Sequence, residues 1–472
     1  MTKAIGKVVD KAGIREFSFV ATQYFQGDFV ELEVVYSGGK KAATIVGEII
    51  HKEATNPYFE KPSAINYLSE KDESITSWNL YIVKVKPIAV IDGEGIRKLD
   101  FPPSPGTNVY SAEESTISHV LGLENQGIPI GHLKQQGSLR IHLSEDLLCR
   151  THFSILGRTG SGKSYFARGL AKCIKDRGLI IFSPTEEYNE IAKDINAQVF
   201  SKQDLLLPLN TSYIASIYGL TLQEEILFGQ FMEKEMSFTQ KASFSNQEIA
   251  HKFRAMIQAK RKEKPQTALF DIETFDIEGS SRGDATKDKF PKFIGSLLSK
   301  IGSKSLFFSK QPMKVPFSRS TIIDMSELDL ESQQVIMMYV LSNLLESYRD
   351  EKKRRTFPKV IVMIEEVHNF APSVHATICK NKIIQVAREG RKLGITLSLI
   401  SQRPRHFDQT VLSQCGTLFL FHIPHPDDVE HIFGISPIYR RDLVDTVREL
   451  MVGECLVLGD TARYPLLCSV NF

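Results

Sequence analysis

The sequence of 472 residues predicts an α/β protein in which a mostly parallel sheet with crossover helices follows a small β-barrel. Three observations support this prediction. A glycine-rich loop lies between an apolar run and an amphipathic stretch within 152–176, strand-like and helix-like segments alternate from about residue 107 onward, and short β-type runs fill the N-terminal part. A chain of this length is expected to hold two or three domains.

The N-terminal part is rich in short β-type runs separated by glycine-containing turns. Many short strands at this spacing predict a small barrel over residues 1–105. The Pro-rich segment 101–106 is expected to be a stiff linker. The predicted strands are 6–10, 17–21, 29–35, 42–50 and 79–85.

The rest of the chain alternates strands and helices, which predicts an α/β core over 106–204 and 311–460. Helical patterns near 221–236, 246–261 and 290–303 interrupt this alternation and predict a helical insertion over 205–310. Within it, 276–288 is expected to be a mobile loop, and 461–472 a C-terminal extension. The predicted core strands are 152–156, 179–182, 320–324, 359–364, 394–400 and 417–421, with a long helix near 328–350.

Composition is that of an ordinary globular protein, with 42% hydrophobic and 24% charged residues. The net charge of +2 excludes a strongly basic or acidic chain, so any nucleic-acid surface must be local. No apolar run is long enough to span a membrane, and the first residues lack the pattern of a signal peptide. The 6 scattered cysteines predict free thiols in a reducing compartment, and we expect a cytoplasmic protein.

A glycine-rich segment fits the phosphate-binding loop G-x-x-x-x-G-K-[ST], with the strand before it and the helix after it that this motif requires. Glycines let several backbone N–H groups point at one anion, and the helix N-terminus adds partial positive charge. Lys163 is expected to reach the β- and γ-phosphates of a nucleotide, and the Ser164 hydroxyl to bind Mg²⁺. The predicted nucleotide-binding residues are Gly157, Arg158, Thr159, Gly160, Ser161, Gly162, Lys163 and Ser164.

Two acids, Glu365 and Glu366, end the predicted strand 359–364. Beside a phosphate loop, the first acid at such a strand end can hold Mg²⁺, and the second can orient and polarise an attacking water. Glu365 is therefore the candidate metal ligand and Glu366 the candidate catalytic base. The alternative is a strand that ends in two solvated acids.

Three further polar residues are candidates for phosphate contacts. Arg391, in the basic run 387–392, has the planar, permanently charged group that an arginine finger requires, in its own site or in a neighbouring subunit's. Arg388 is an alternative finger, and an ion-paired, solvated face is the other interpretation of this run. Gln402 follows strand 394–400 and is either a sensor of the γ-phosphate or part of a helix cap or turn. Arg150 is either a phosphate contact or an interface ion pair.

These motifs occur in an order that resembles the HerA family of hexameric DNA translocases, relatives of FtsK. The resemblance covers nearly the whole chain, and it includes the N-terminal β region, which is similar to that family's small barrel. The motifs are Leu-Gly-Arg-Thr-Gly-Ser-Gly-Lys-Ser at 156–164, Ile-Glu-Glu-Val-His-Asn-Phe at 364–370, Arg-Glu-Gly-Arg-Lys-Leu-Gly at 388–394, Ser-Gln-Arg-Pro at 401–404, Leu-Ser-Gln-Cys-Gly-Thr at 412–417 and Pro-Asp-Asp at 426–428.

The resemblance implies a RecA-like P-loop NTPase core with a helical-bundle insertion. It also implies a homohexamer that hydrolyses ATP with Mg²⁺ at its subunit interfaces and pumps double-stranded DNA through a central channel. The implied partners are a nuclease of the NurA type in DNA-end resection, or a sirtuin-like NADase or other effector in anti-phage defence. The implied roles are ATP and Mg²⁺ binding for Lys163 and Ser164, catalytic base for Glu366, trans finger for Arg391, sensor for Gln402 and a further phosphate contact for Arg150.

Two positions depart from the family pattern. Glu365 stands where the family usually has Asp, and Ser183 stands where an Asp is common. The substitution at Glu365 and the lack of an obvious basic stripe leave a second hypothesis open, in which an ATP-binding ring acts as a scaffold that assembles and activates an effector with little DNA transport. Loops 369–376 and 403–409, which follow core strands, are the predicted channel lining.

Overall fold

The computed structural model describes residues 3–9, 12–36, 41–56, 79–123, 126–232, 243–263, 305–435 and 443–472. Three sheets organise them: a barrel sheet, a large mixed sheet and a small three-stranded sheet. The predicted helix 290–303 and the predicted loop 276–288 lie outside the described residues.

The N-terminal sheet closes into a six-stranded barrel, as predicted. Its order is β2-β1-β7-β3-β4-β5, β5 pairs back with β2, and β6 extends from β5. Alternate side chains of β2 (Phe17, Phe19 and Ala21) are buried inside. The strands are β1 (Gly6–Val9), β2 (Phe17–Ala21), β3 (Phe29–Tyr36), β4 (Lys41–Thr55), β5 (Leu80–Asp92), β6 (Gly95–Arg97) and β7 (Asn108–Ser111).

The remaining strands belong to the large sheet, except β13, β14 and β15, which form the small one. Their bounds are β8 (Ile128–Leu133), β9 (Gln136–Leu143), β10 (His152–Leu156), β11 (Gly178–Ser183), β12 (Gln198–Phe200), β13 (Leu206–Pro208), β14 (Ser243–Ser245), β15 (Phe307–Ser309), β16 (Thr321–Asp324), β17 (Val360–Ile364), β18 (Ile395–Ser401), β19 (Cys415–Leu420), β20 (Glu454–Gly459) and β21 (Leu466–Val470).

The large sheet has the order β12-β16-β11-β17-β18-β10-β19-β20-β21-β8-β9. The first seven strands in this order, which begin with β12 and end with β19, run parallel to one another. The last four, β20, β21, β8 and β9, continue the sheet by antiparallel pairing. We call the edge where the parallel strands end the carboxyl edge, and the edge where they begin the amino edge. Because β18 and β19 flank β10, the loop that follows β10 lies centrally at the carboxyl edge.

Helices cover both faces of the large sheet, so its central strands are apolar throughout rather than alternating. In β17, Val360, Val362 and Ile364 pack into one buried cluster, while Ile361 and Met363 pack into the other. The helices are α1 (Glu114–Leu121), α2 (Glu145–Leu148), α3 (Lys163–Cys173), α4 (Thr211–Tyr218), α5 (Leu222–Phe231), α6 (Asn246–Glu263), α7 (Leu330–Arg349), α8 (Glu351–Arg354), α9 (Lys380–Leu393), α10 (Gln409–Leu412), α11 (Pro426–Ile435) and α12 (Val444–Glu449).

The segment predicted as a helical insertion is mixed in its described part. It contains α4, α5 and α6, but β13, β15 and β14 also form a small sheet beside them. Thr221 and Glu224 form a reciprocal capping box that fixes the start of α5. The strands escaped prediction because each has three residues, too few to show an alternating pattern.

The observed strand pairing crosses two predicted domain boundaries, the one after residue 105 and the one before residue 461. The barrel takes its sixth strand from β7, which lies beyond residue 105 and pairs with both β1 and β3. The segment 461–472 contains β21, which lies between β20 and β8 in the large sheet. The helix expected over 165–176 begins at Lys163 and ends at Cys173.

Candidate active site

The glycine-rich loop connects β10 to α3 at the carboxyl edge. Gly160 and Gly162 have φ angles of 76° and 109°, in the left-handed region that favours glycine. The Ser161 hydroxyl and the Lys163 ammonium each donate to the carbonyl oxygen of Arg158 at 2.7 Å. These contacts curl the loop and hold the lysine side chain against it.

Lys163 is only 8% exposed and lies near three carboxylates. Burial lowers the pKa of Lys163, while the charges of Glu366, Glu365 and Glu187 act in the opposite direction. The carboxylates therefore favour the charged ammonium, which is the form that attracts phosphate.

Glu365 follows β17 and is buried, with 5% of its surface exposed. The hydroxyl of Tyr188 donates to Glu365 Oε1 at 3.1 Å. Burial, together with the nearby charge of Glu187, raises the pKa of Glu365 to about 7. This carboxylate is costly to keep ionised without a cation, which suits the metal-ligand role predicted for it.

Glu366 has a left-handed backbone, with φ 48° and ψ 44°. A non-glycine residue in this region costs about 1–2 kcal/mol, so the surrounding contacts must hold it there. Its Oε2 lies 3.2 Å from Nδ1 of His368, and the backbone N–H of Gln402 also donates to the carboxylate. Burial raises the pKa of Glu366, while Lys163 lowers it. A raised pKa strengthens a general base.

His368 links the carboxyl ends of β17 and β18. Its Nδ1 lies 3.1 Å from the Ser401 hydroxyl oxygen, in addition to its contact with Glu366. Burial lowers the pKa of His368 to about 4, and the positive charge of Arg403 contributes. The ring is therefore neutral near pH 7 and acts as a polar partner of the candidate base.

Gln402 lies at the end of β18 and contacts the glycine-rich loop. The Thr159 hydroxyl donates to Gln402 Oε1. The backbone N–H of Gly157 donates to the Ser401 carbonyl oxygen at 3.3 Å, which joins the start of the loop to the same strand end. The structure thus brings Lys163, Glu365, Glu366 and Gln402 to one place, although they come from three strands.

Sequence reasoning missed Glu187 and Tyr188, which lie in the short helical turn Glu186–Ile191 after β11. Glu187 acts on the charges of Lys163 and Glu365, and Tyr188 binds Glu365 directly. The signal was available, since β11 is a parallel strand and its carboxyl end lies at the same edge. Ser183, where an acid was expected, donates instead to the carbonyl oxygen of Thr185.

Arg391 lies in the last turn of α9, far from its own glycine-rich loop. Gly394 ends this helix at φ 85° and donates to the Arg391 carbonyl oxygen at 3.3 Å, and β18 begins at the next residue. Arg391 is therefore at the amino edge. Glu389, the acid between the two candidate arginines, pairs with Arg349 at 2.5 Å.

Arg150 also lies at the amino edge, two residues before β10. The five residues of β10 span about 16 Å, so the amino edge and the carboxyl edge lie about 16 Å apart along this strand. Arg150, Arg388 and Arg391 are exposed, and none has an ion-pair partner within the described ranges. Because the two edges are this far apart, Arg150 and Arg391 cannot contact a phosphate bound to the glycine-rich loop of their own subunit.

His152 connects α9 to the start of β10. Its Nδ1 accepts from the Leu397 backbone N–H at 2.9 Å, and its Nε2 donates to the Ala387 carbonyl oxygen at 2.9 Å. Because Nδ1 accepts, the ring is neutral. Burial lowers the pKa of His152, and the charge of Arg391 lowers it further. The helix that carries Arg391 is thus fixed to the strand that carries the loop.

The donor set at the carboxyl edge fits Mg²⁺, which prefers oxygen ligands and few protein carboxylates. Ser164 and Glu365 offer a hydroxyl and a buried carboxylate. Within the described residues no group of three or more His, Cys, Asp or Glu side chains could hold a metal ion by itself. Such a site suits a cation that shares its coordination with phosphate oxygens and water.

These features define a class: a P-loop NTPase with a nucleotide loop, two acids and a polar sensor at the carboxyl edge of a parallel sheet. The family model "Helicase HerA, central domain" matches residues 128–344. The chain resembles the HerA family, as its motifs predicted, and it is an ATP-hydrolysing enzyme.

Curated relatives match over most of the chain. A probable helicase of Methanocaldococcus jannaschii is 27% identical, covering 99% of this chain and 90% of the relative. The DNA double-strand break repair helicase HerA of Saccharolobus solfataricus is 26% identical, covering 79% and 74%. The protein of the same name from Pyrococcus furiosus is 24% identical, covering 100% and 93%.

Solved structures that resemble part of the chain include VirB4 of Thermoanaerobacter pseudethanolicus. It is 14% identical, covers 74% of this chain and 97% of its own, and has a TM-score of 0.47. The bacterial conjugative coupling protein TrwB is 13% identical, covers 74% and 89%, and has a TM-score of 0.40. The resemblance to the HerA family therefore rests on the sequence matches.

Two expectations from composition can be compared with the structure. Among the described residues, no helix is long and apolar enough to cross a membrane. All six cysteines are free thiols, as predicted, and five of them are buried.

Proposed function

We propose that the chain is the subunit of a homohexameric ring that uses ATP and Mg²⁺ to move double-stranded DNA through its central channel. The observation that carries this proposal is the separation of Lys163 and Glu366 at the carboxyl edge from Arg391 and Arg150 at the amino edge. A site that needs both sets is complete only between two copies. Head-to-tail contacts of this kind close into a ring when the rotation permits.

The proposed mechanism assigns one task to each residue. Lys163 and the loop N–H groups bind the phosphates, and Ser164 and Glu365 would hold Mg²⁺, which supplies charge neutralisation there. Glu366 accepts the proton of the attacking water, aided by the burial that raises its pKa. Arg391 of the neighbouring subunit stabilises charge on the transferring phosphoryl group, with Arg150 as a further contact.

Gln402 would report hydrolysis to the predicted channel loops 369–376 and 403–409. Two backbone hydrogen bonds join these loops, from Ser373 to His406 at 2.9 Å and from Asp408 to Ala371 at 2.8 Å. Lys380 adds an ion pair with Asp408 at 3.1 Å. The loops can therefore move together, and both begin close to the candidate base and sensor.

Duplex transport is tested by displacement of a triplex-forming oligonucleotide in the presence of ATP. The wild-type protein is expected to displace it, and Lys163→Ala is expected to fail. Lys172→Ala, an exposed lysine on the same helix that pairs with Asp194, is the matched control and should keep wild-type activity. Absence of displacement by a wild-type protein that hydrolyses ATP and activates an effector would favour the scaffold hypothesis.

We further propose that an effector, a nuclease of the NurA type or a sirtuin-like NADase, docks on the barrel. Apolar side chains exposed there support this surface, including Tyr24 at 66% and Val35 at 68%. In co-purification with the product of a neighbouring effector gene, Tyr24→Arg is expected to lose the partner. Leu222→Arg, on a 72% exposed side chain outside the barrel, should retain it. Retention by both variants would contradict barrel docking.

The domain division stays a proposal: a barrel at 1–105, a core at 106–204 and 311–460, an insertion at 205–310 that adds a helical bundle, and an extension at 461–472. A cytoplasmic location is proposed with it, in keeping with the free thiols.

A further inference from the structure

We propose that the turn at 451–454 and the ring of Tyr165 form a binding platform for the nucleobase of the bound nucleotide. Met451 and Val452 are each 70% exposed, and Tyr165 is 52% exposed. Large apolar side chains with this exposure are unfavourable in water unless something covers them. This inference rests on the assignment of the glycine-rich loop as the phosphate site.

The turn is fastened directly to the phosphate loop. The Gly453 backbone N–H donates to the Ser161 carbonyl oxygen at 3.1 Å, and the Val470 N–H donates to the Gly453 carbonyl oxygen at 2.8 Å. The Glu454 carboxylate accepts from the Met451 N–H at 2.9 Å and pairs with Lys134 at 2.8 Å. The two exposed side chains are thus held within a few residues of the loop.

Tyr165 approaches the same region from the other side of the loop. It follows Ser164 in the first turn of α3, and its ring packs edge-on against Phe472 at a centroid distance of 6.0 Å. Phe472 lies two residues after Val470, which is bonded to the turn. The three exposed apolar side chains therefore lie around the start of α3, where the phosphates would be bound.

Strand order decides which part of the nucleotide lies here. Glu366 and Gln402 follow β17 and β18, on one side of β10. The turn precedes β20, which pairs with β19 on the other side of β10. A nucleotide whose γ-phosphate faces the base and the sensor must extend its ribose and base away from them. That direction leads to the turn and to Tyr165.

The chemistry of this surface matches an aromatic nucleobase. An aromatic ring stacks on a base, and the polarisable thioether of Met451 packs well against aromatic faces. Stacking does not read the polar edge of the base, because every base has a π-face. ADP and GDP are therefore expected to bind with affinities within about five-fold of each other.

Calorimetric titration of the full chain with ADP and with inorganic tripolyphosphate tests the platform. Met451→Gln and Tyr165→Ala are each expected to weaken ADP binding about ten-fold and to leave tripolyphosphate binding unchanged. Leu222→Gln is the matched control, because Leu222 is similarly exposed but lies in α5, outside the platform. This variant should change the affinity for neither ADP nor tripolyphosphate. Lys163→Ala should weaken both ligands, which tests the phosphate site separately.

Three outcomes would overturn the proposal. Unchanged ADP affinity in both variants would show that the base lies elsewhere. Equal weakening of ADP and tripolyphosphate would show that the turn acts through the phosphate loop. A lower native particle mass at unchanged ADP affinity would show that a second copy of the chain covers the surface.

Discussion

Two inactive variants should restore activity to each other if the active site is shared between subunits. Lys163→Ala removes the phosphate contact at the carboxyl edge, and Arg391→Ala removes the guanidinium at the amino edge. Each variant alone is expected to lose about 10³-fold in ATP hydrolysis, the scale reported for loss of an arginine finger. In a mixed ring, some interfaces combine an intact loop from one subunit with an intact arginine from its neighbour.

The geometry sets how much ATP hydrolysis the mixed ring should recover. The residues of β10 place the two edges about 16 Å apart, so Arg391 cannot serve its own loop. In a randomly assembled 1:1 mixture, about one quarter of the head-to-tail interfaces carry both intact residues. Steady-state ATP hydrolysis should therefore recover to about a quarter of the wild-type rate per subunit if interfaces act independently.

The assay uses co-expressed variants with two different tags, purified through both tags so that every particle is mixed. A mixture of Lys163→Ala with Glu366→Gln is the matched control. Both residues lie at the carboxyl edge, so no interface regains a complete set and no activity should return. The reasoning is refuted if the first mixture is as inactive as its components. The same experiment with Arg388→Ala decides which arginine is the finger.

Three further outcomes are expected. Glu366→Gln should still bind ATP but hydrolyse it about 10²–10⁴-fold more slowly in a single-turnover assay; a wild-type rate would sink the base assignment. His152 has a pKa lowered from 6.5 by burial, so the unfolded chain binds a proton that the folded chain rejects, and stability should fall as the pH drops below 6.5. When the unfolding free energy from urea titrations is plotted against pH, the slope below pH 6.5 should correspond to one proton fewer in His152→Asn than in the wild type. An equal slope in the two proteins would contradict this prediction. Gly169→Ala, whose methyl group meets the Phe472 ring, should lower the unfolding free energy by about 1–3 kcal/mol, whereas Gly434→Ala, with open space, should not lower it.

Sequence patterns were sufficient to name the candidate site residues at the carboxyl edge, because one simple rule of parallel sheets applies there. Residues that follow parallel strands meet at one edge, so the segments after β10, β17 and β18 had to converge. Lys163, Glu366 and Gln402 could be named before their distances were known. The same rule would have found Glu187, since it follows β11, but only Ser183, where an Asp is common in the family, was singled out after that strand.

The antiparallel half of the large sheet could not be predicted in this way. β8 contains Pro129 and Gly131, and its pairing with β9 shifts register between these two residues and again between His132 and Leu133, so it lacks a strict alternating pattern. β7 has four residues next to a Pro-rich segment, and its place between β1 and β3 depends on contacts distant in sequence. Local propensity does not specify which strand such short segments join.

If the active site is shared between subunits as proposed, a single strand links the two half-sites of each subunit. At one end of β10, His152 binds the Ala387 carbonyl oxygen of the helix that ends in Arg391; at the other end, Leu156 leads into the phosphate loop. All five residues of this strand are buried between two parallel neighbours, so it cannot stretch or shift without breaking ladder hydrogen bonds. In the proposed ring, a change in the loop at one interface would therefore be carried to the arginine at the next, because both interfaces would be attached to the same rigid element.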